Sequence, residues 1–227
     1  MAKSTFKELV NRTIQECGIS GGDVASVTGQ TGIRLKAVTW VAEADLYIQR
    51  LFRDWNFLHT SHSDTTINNT KDYTKPTSHG LWDVDSFYLD YTTADYVALR
   101  QYSYEEWRSK LGAGVQSTNT PSYFIIKPNK DIILYPTPDA AYALTADYWK
   151  LPTKLSDNTD TSDIPEHFED IIVHRAKILY AQHEEAADML QVARQEYELA
   201  LMDLKANEAP GHSGMNLATV DATVQVF

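Results

Sequence analysis

Between residues 5 and 17 the apolar positions recur at helical spacing: Phe6, Leu9, Val10, Ile14 and Cys17 fall on one side of a helix. Thr5-Phe6-Lys7-Glu8 reads as a capping box, the Thr hydroxyl and the Glu carboxylate each satisfying a free amide. Gly18 is placed to end the helix as a C-terminal cap. Residues 18–32 then hold Gly18, Gly21, Gly22, Gly29 and Gly32 and predict a connector. A second helix is expected from about Ile33 to Trp55. Val38, Val41, Ala42, Asp45, Ile48 and Gln49 lie near one stripe of it, and Leu35, Leu46, Leu51 and Phe52 widen that stripe. A helix apolar over so much of its circumference packs against several partners.

The pattern changes after Phe57. Thr, Tyr, Val and Ile become frequent and turn residues come at short intervals up to Leu151. Residues 123–127, the turn Pro128-Asn129-Lys130 and residues 131–135 predict a β-hairpin stopped by Pro136 and Pro138. Residues 143–149, 87–91 and 96–101 predict further strands, and a short helix is expected from Tyr104 to Leu111. Residues 151–163 read as a polar linker. Asp163-Ile164-Pro165-Glu166 then predicts a helix start capped by Asp163, with Phe168, Ile171, Ile172, Ala176 and Leu179 on its buried face. No Gly or Pro interrupts residues 167–208, so propensity permits one long helix; a compact domain needs a bend, and Gln182–Glu185 is its weakest place. Beyond it Leu190, Ala193, Tyr197, Ala200 and Leu204 form a coiled-coil-like seam. The last stretch opens with Pro210-Gly211 and Gly214, which cannot continue a helix, and ends in a β-prone run. A frayed terminus and an arm that adds a strand to a partner's sheet are both open readings of it.

These patterns divide the chain into a helical bundle of about four helices (1–56 and 157–206), a β-rich insertion (57–156) and an extended C-terminal arm (207–227). The fold class is α+β.

Charge sharpens this division. The 227 residues carry a net charge of −11, unevenly: residues 1–56 hold 7 basic and 6 acidic side chains, residues 154–206 hold 5 and 12. An acidic second half argues against gripping nucleic acid, since phosphate affinity needs Lys and Arg. It is compatible with DNA sliding past, because an acidic wall repels it. No apolar run approaches the roughly 20 residues of a membrane span, and the start of the chain shows no signal-peptide core. The chain is therefore expected in the cytoplasm or in a particle assembled there.

Catalytic motifs are weak. The glycine-rich connector lacks the Gly-Lys-Ser/Thr of a phosphate loop. His183-Glu184-Glu185-Ala186-Ala187 has no second histidine for a zinc helix. His167 and His174 could share a helix face, but solvated histidines are commoner. Asp83/Asp85 and Glu105/Glu106 read as surface charge. Cys17, the single cysteine, reads as a small buried hydrophobe. Trp82, Trp107 and Trp149 suit core packing better than sugar or base stacking. No catalytic residue, metal or cofactor is expected.

An ordered set of short motifs adds a further clue. Phe6-x-x-Leu9-Val10 and Gln15-Glu16-Cys17-Gly18 lead to Val27-Thr28-Gly29-Gln30-Thr31-Gly32, then to Trp40-Val41 and Asp54-Trp55-Asn56-Phe57. Ser103-Tyr104-Glu105-Glu106-Trp107, Tyr135-Pro136-x-Pro138-Asp139, Tyr148-Trp149-Lys150-x-Pro152 and Ile164-Pro165-Glu166-His167-Phe168 follow. In this order, over residues 4–206, the chain resembles the head-to-tail adaptor (connector, or head-completion) proteins of tailed bacteriophages. The resemblance implies a structural virion protein without enzymatic activity, located at the neck. About twelve copies would form a ring, with the portal protein on one side and a tail nozzle or tail tube protein on the other. Genomic DNA would pass through the lumen without specific binding. It also implies that the arm reaches along the portal, which makes Met215, Leu217, Val220, Val224, Val226 and Phe227 the candidate portal-binding residues. The alternatives are another tail-completion or receptor- or glycan-binding virion protein, and a small enzyme.

Overall fold

The computed structural model describes residues 3–92, 95–112 and 117–209. In chain order the helices are α1 (Phe6–Glu16), α2 (Gly32–Gln49), α3 (Tyr104–Lys110), α4 (Asp170–His183) and α5 (Ala187–Glu208). Together with two β-sheets they make an α+β protein. Leu58–Leu151 forms one compact unit, and the chain on either side of it forms the other.

In the helical unit, α4 packs against α1, α2 and α5. α1 begins with both halves of its capping box: the Glu8 amide donates to Thr5 Oγ1, and the Thr5 amide donates to the Glu8 carboxylate at 2.7 Å. Phe6, Leu9, Val10 and Ile14 are buried, as their spacing predicts. The helix closes through Gly18, whose φ of +65° lets the Ile19 amide reach back to the Ile14 carbonyl.

α2 departs from expectation at both ends. It stops at Gln49 rather than near Trp55. The last turn tightens, with Arg50 and Leu51 amides on the Tyr47 and Ile48 carbonyls. Trp55 then folds back: its indole donates to the Ile48 carbonyl at 3.2 Å, while its ring meets Phe52 edge-on and stacks on Phe57. The apolar residues that lengthened the helical pattern are thus the packing of a turn. Near the start, Leu35 is 48% exposed instead of widening the core stripe.

Asp163 does not cap the third bundle helix. The entry is a 3-10 turn at Glu166–Phe168, and neither that turn nor α4 carries a side-chain N-cap. Ser162 organises the approach instead, its hydroxyl accepting from the Ile164 amide and donating to the buried carboxylate of Asp45 on α2. The stretch read as a linker is a staple for the same reason: the Asp160 carbonyl accepts from the Phe6 amide, and Asn158 Oδ1 accepts from the Val27 amide, both at 2.7 Å.

The run after Pro165 forms two helices, with the break at Glu184–Ala186. Glu185 takes φ +54°, and the Ala186 amide reaches the Ala181 carbonyl at 3.0 Å. This is the same left-handed closure as at Gly18, made here without a glycine.

The other unit contains β1 (His59–Thr65), β2 (Asp72–Tyr73), β3 (His79–Trp82), β4 (Tyr88–Thr92), β5 (Asp95–Ala98), β6 (Arg100–Gln101), β7 (Tyr123–Ile126), β8 (Ile132–Tyr135) and β9 (Ala143–Lys150), with α3 between β6 and β7. One sheet runs β1-β9-β4-β5 with β3 also on β9; the other runs β2-β8-β7-β6. The predicted hairpin is present as β7–β8, antiparallel from Tyr123↔Tyr135 to Ile126↔Ile132. The strand expected at 96–101 is divided between β5 and β6, which belong to different sheets, with buried Leu99 between them.

Strand alternation explains the cores. Phe124, Ile132 and Leu134 join Phe87, Leu89, Leu144 and Tyr148 in a cluster drawn from both sheets. Ile125 and Ile133 face the other way and pack with Trp107 of α3. β7 and β8 are therefore buried on both faces, and this is why they read as continuous apolar runs.

Candidate assembly surfaces

The six residues picked out in the C-terminal arm, Met215, Leu217, Val220, Val224, Val226 and Phe227, lie outside the described residues. Description ends at Ala209, directly after α5.

α5 itself carries two apolar faces. The inner one, Ala193, Tyr197 and Leu204, is buried and coincides with part of the predicted seam; Leu190 and Ala200 are only half-buried. The outer face was missed by the sequence reading. Val192, Leu199 and Met202 are 52%, 69% and 68% exposed. With Gln195 and Ala206 they recur at spacings of three and four, the heptad rhythm of a helix–helix contact. A second heptad register on the same helix was the available signal. The inner register, apolar at every position whereas the outer one carries Gln195, masked it.

Beside this stripe, α4 and α5 enclose a pocket of about 410 Å³ lined by Arg175, Arg194, Tyr197, Glu198, Leu201 and their neighbours. The Arg175 guanidinium lies over the Tyr47 ring at 4.3 Å and near that of Tyr197 at 5.7 Å. Its buried Nε and the buried Tyr197 hydroxyl have no hydrogen-bond partner. Burial pushes the Tyr197 hydroxyl up to about 12, so it stays a neutral donor.

The third cation of this region is committed elsewhere. Lys177 on α4 bonds Glu196 on α5 at 2.7 Å and meets Glu16 on α1 at 3.3 Å, while His174 joins Glu196 at 3.3 Å. Burial opposes the Lys177 charge, but these two carboxylates outweigh it and hold the ammonium above its ordinary range. The hydrogen bond from Lys177 in turn holds Glu196 below its ordinary range. Three helices are pinned at one point.

The groups with possible chemistry are occupied structurally. Cys17 is buried, and desolvation raises its thiol to about 11, far from a nucleophilic thiolate. His167 packs on Phe168, and His174 serves Glu196. His59 stands 3.9 Å from Asp83 and 4.0 Å from Asp147, edge-on to Trp149, on the exposed β1 strand. His79 is buried against Trp82 and Tyr148, and desolvation lowers it to about 4, leaving it neutral. Trp82 and Trp107 are buried, which removes their faces from solvent. Among the described residues no cluster of three His, Cys, Asp or Glu is arranged to hold a metal. Among them, too, no helix is long and apolar enough to cross a membrane.

The family model described as SU10 adaptor protein matches residues 4–219. No curated protein matches the chain.

Proposed function

The chain belongs to the SU10 adaptor protein family, a family of structural phage adaptors, and on that premise we propose that it is the ring subunit that joins the portal to the tail. The observation that carries this reading is the extent of the match, which takes in the helical unit, the β-rich unit and part of the arm. In this role the chain is a virion component of the neck without catalytic activity. About twelve copies surround the channel, with the portal protein above and a tail nozzle or tube protein below. Residues 154–206, with 12 acidic and 5 basic side chains, supply a wall to which DNA does not adhere. The arm, with Met215, Leu217, Val220, Val224, Val226 and Phe227, contributes a strand to the portal.

The test is native mass measurement of the full chain mixed with purified portal protein, followed by electron cryomicroscopy of the particle neck. A ring seated directly on the portal is expected. A chain that stays monomeric and ignores the portal with its arm intact would overturn the reading. Truncation after Ala209, which leaves α5 whole, is expected to weaken portal attachment and leave the thermal melt unchanged. Unaltered attachment would remove the arm from the mechanism.

A further inference from the structure

We propose that the outer face of α5, together with the Arg175–Arg194 pocket beside it, is the docking site for a second copy of this chain, which places a carboxylate in that pocket. This rests on the ring reading and specifies one of its contacts. Two independent observations point to the same place. The first is the stripe Val192, Leu199 and Met202: large apolar side chains in heptad rhythm on a face that the chain's own fold leaves open. The second is the pocket, where Arg175 Nε and the Tyr197 hydroxyl are buried donors without acceptors. Buried donors are hydrogen-bonded in nearly every folded protein, so these two mark a place that an acceptor from a partner suits.

The chemistry of the missing group follows from the lining. Arg175 and Arg194 make no ion pair among the described residues, although their segment is strongly acidic. Glu198 also lines the pocket, beyond ion-pair distance of either, so the site retains one net positive charge. A planar guanidinium laid over the Tyr47 ring, with Tyr197 near it, uses its edge for an acceptor with paired oxygens, which is what a carboxylate offers. Leu201 gives the pocket an apolar wall for the stem of an Asp or Glu side chain. Charge complementarity selects the occupant: a chain with 31 acidic and 20 basic residues presents carboxylates on its own surface in excess. Leu199 and Met202 directly follow the pocket residues Glu198 and Leu201, which sets the stripe about 100° around the helix from the pocket wall, so a partner laid along this flank of α5 reaches both.

The experiment places photoreactive benzoylphenylalanine at position 199 of the full chain, alone and bound to purified portal protein, and reads the cross-linked products by denaturing mass. Products at whole multiples of the chain mass are expected. Adding Arg194→Glu, at an exposed position, is expected to cut their yield by about tenfold or more, while Arg194→Lys restores most of it. Circular-dichroism melts of all variants should coincide. Multiples that persist undiminished with Arg194→Glu would mean that the pocket holds only water, and would overturn the carboxylate. If native mass still shows a ring but the probe couples only to portal or to nothing, the α5 contact is wrong and the ring reading stands. If the unmodified chain forms no ring even on portal, both fail together.

Discussion

α4 and α5 come from one stretch of sequence without an internal Gly or Pro, yet they have opposite fates. α4 is enclosed by α1, α2 and α5 and buries Ile171, Ile172, Val173, Ala176, Ile178 and Ala181. α5 is longer but buries only Ala193, Tyr197 and Leu204 within the helix, while Val192, Leu199 and Met202 face outward. Apolar content alone does not separate them. In α4 the hydrophobic residues satisfy the fold; in α5 they exceed what the fold uses. That surplus is the mark of a helix that serves a contact outside its own unit, and mutations on the two helices should therefore act on different quantities.

The largest expected effect is on α4. Ile172→Ala removes a fully buried side chain from the helix that packs against three others. It should cost about 3 kcal/mol of unfolding free energy, read as a lower denaturant midpoint with unchanged slope. A loss below about 1 kcal/mol would show that α4 is not the enclosed helix described.

A second effect concerns how α4 is attached to α2. Asp45 is fully buried, and desolvation raises its carboxyl to about 6, against which the bonds from Ser162 and Gln49 act. The folded state thus prefers the protonated acid. The stability this group contributes is complete below its ordinary value of 3.8 and is lost as pH rises through about 6. The difference corresponds to roughly 3 kcal/mol at neutral pH. Asp45→Asn keeps an oxygen for the Ser162 hydroxyl, and its amide can donate to Gln49 Oε1, now buried without a partner, once that amide turns over. The variant should gain about 1–3 kcal/mol over the native chain at pH 7, and the gain should vanish near pH 4. A gain independent of pH would place its cause outside this carboxylate.

What the sequence revealed follows the same division between inner and outer positions. The α1 stripe and the inner register of α5 were legible because a helical period decided each, and the β7–β8 hairpin because two apolar runs flank the turn Pro128-Asn129-Lys130. β1 was not, because His59–Thr65 is polar throughout: its order comes from seven residue pairings with β9, from His59↔Trp149 to Thr65↔Ala143, and not from burial. The end of α2 was misplaced because Leu51, Phe52 and Trp55 carry helical spacing while packing a turn, which is marked by the tightened bonds of Arg50 and Leu51 and the indole bond to Ile48. Asp163 resembled a cap since its type and the following Pro165 fit one, but Ser162 and Asp45 supply the polar contacts across more than a hundred residues, beyond any local rule. The Arg175–Tyr197 pocket had no local signature either, since its lining comes from separate helices. The arm was marked by Pro210 and Gly211; Asn207 and Glu208, expected in it, still belong to α5, and residues 210–227 lie outside the described structure.

The junction between the two helices gives a smaller effect of opposite sign. Glu185 holds φ +54° at the position that a glycine fills in α1. A side chain in that region is strained, so Glu185→Gly should stabilise the chain by about 0.5–1 kcal/mol, seen as a raised melting temperature. Unchanged or lower stability would mean that the entropy glycine adds to the unfolded chain outweighs the relieved strain.

The smallest expected effect tests the comparison most sharply. Leu199 is as large as the residues that hold α4 in place, but it is 69% exposed. Leu199→Ser in the isolated chain should shift unfolding free energy by no more than about 0.5 kcal/mol, since little apolar area leaves water when this unit folds. Leu and Ser differ modestly in helix propensity, and that difference accounts for most of the shift allowed. A loss near that of Ile172→Ala would mean that the outer face of α5 is covered within the single chain, so that α5, like α4, is an inner helix and its stripe no longer a surplus. A near-silent substitution in the monomer, combined with loss of self-association, would separate the residues that make the fold from those that make the assembly.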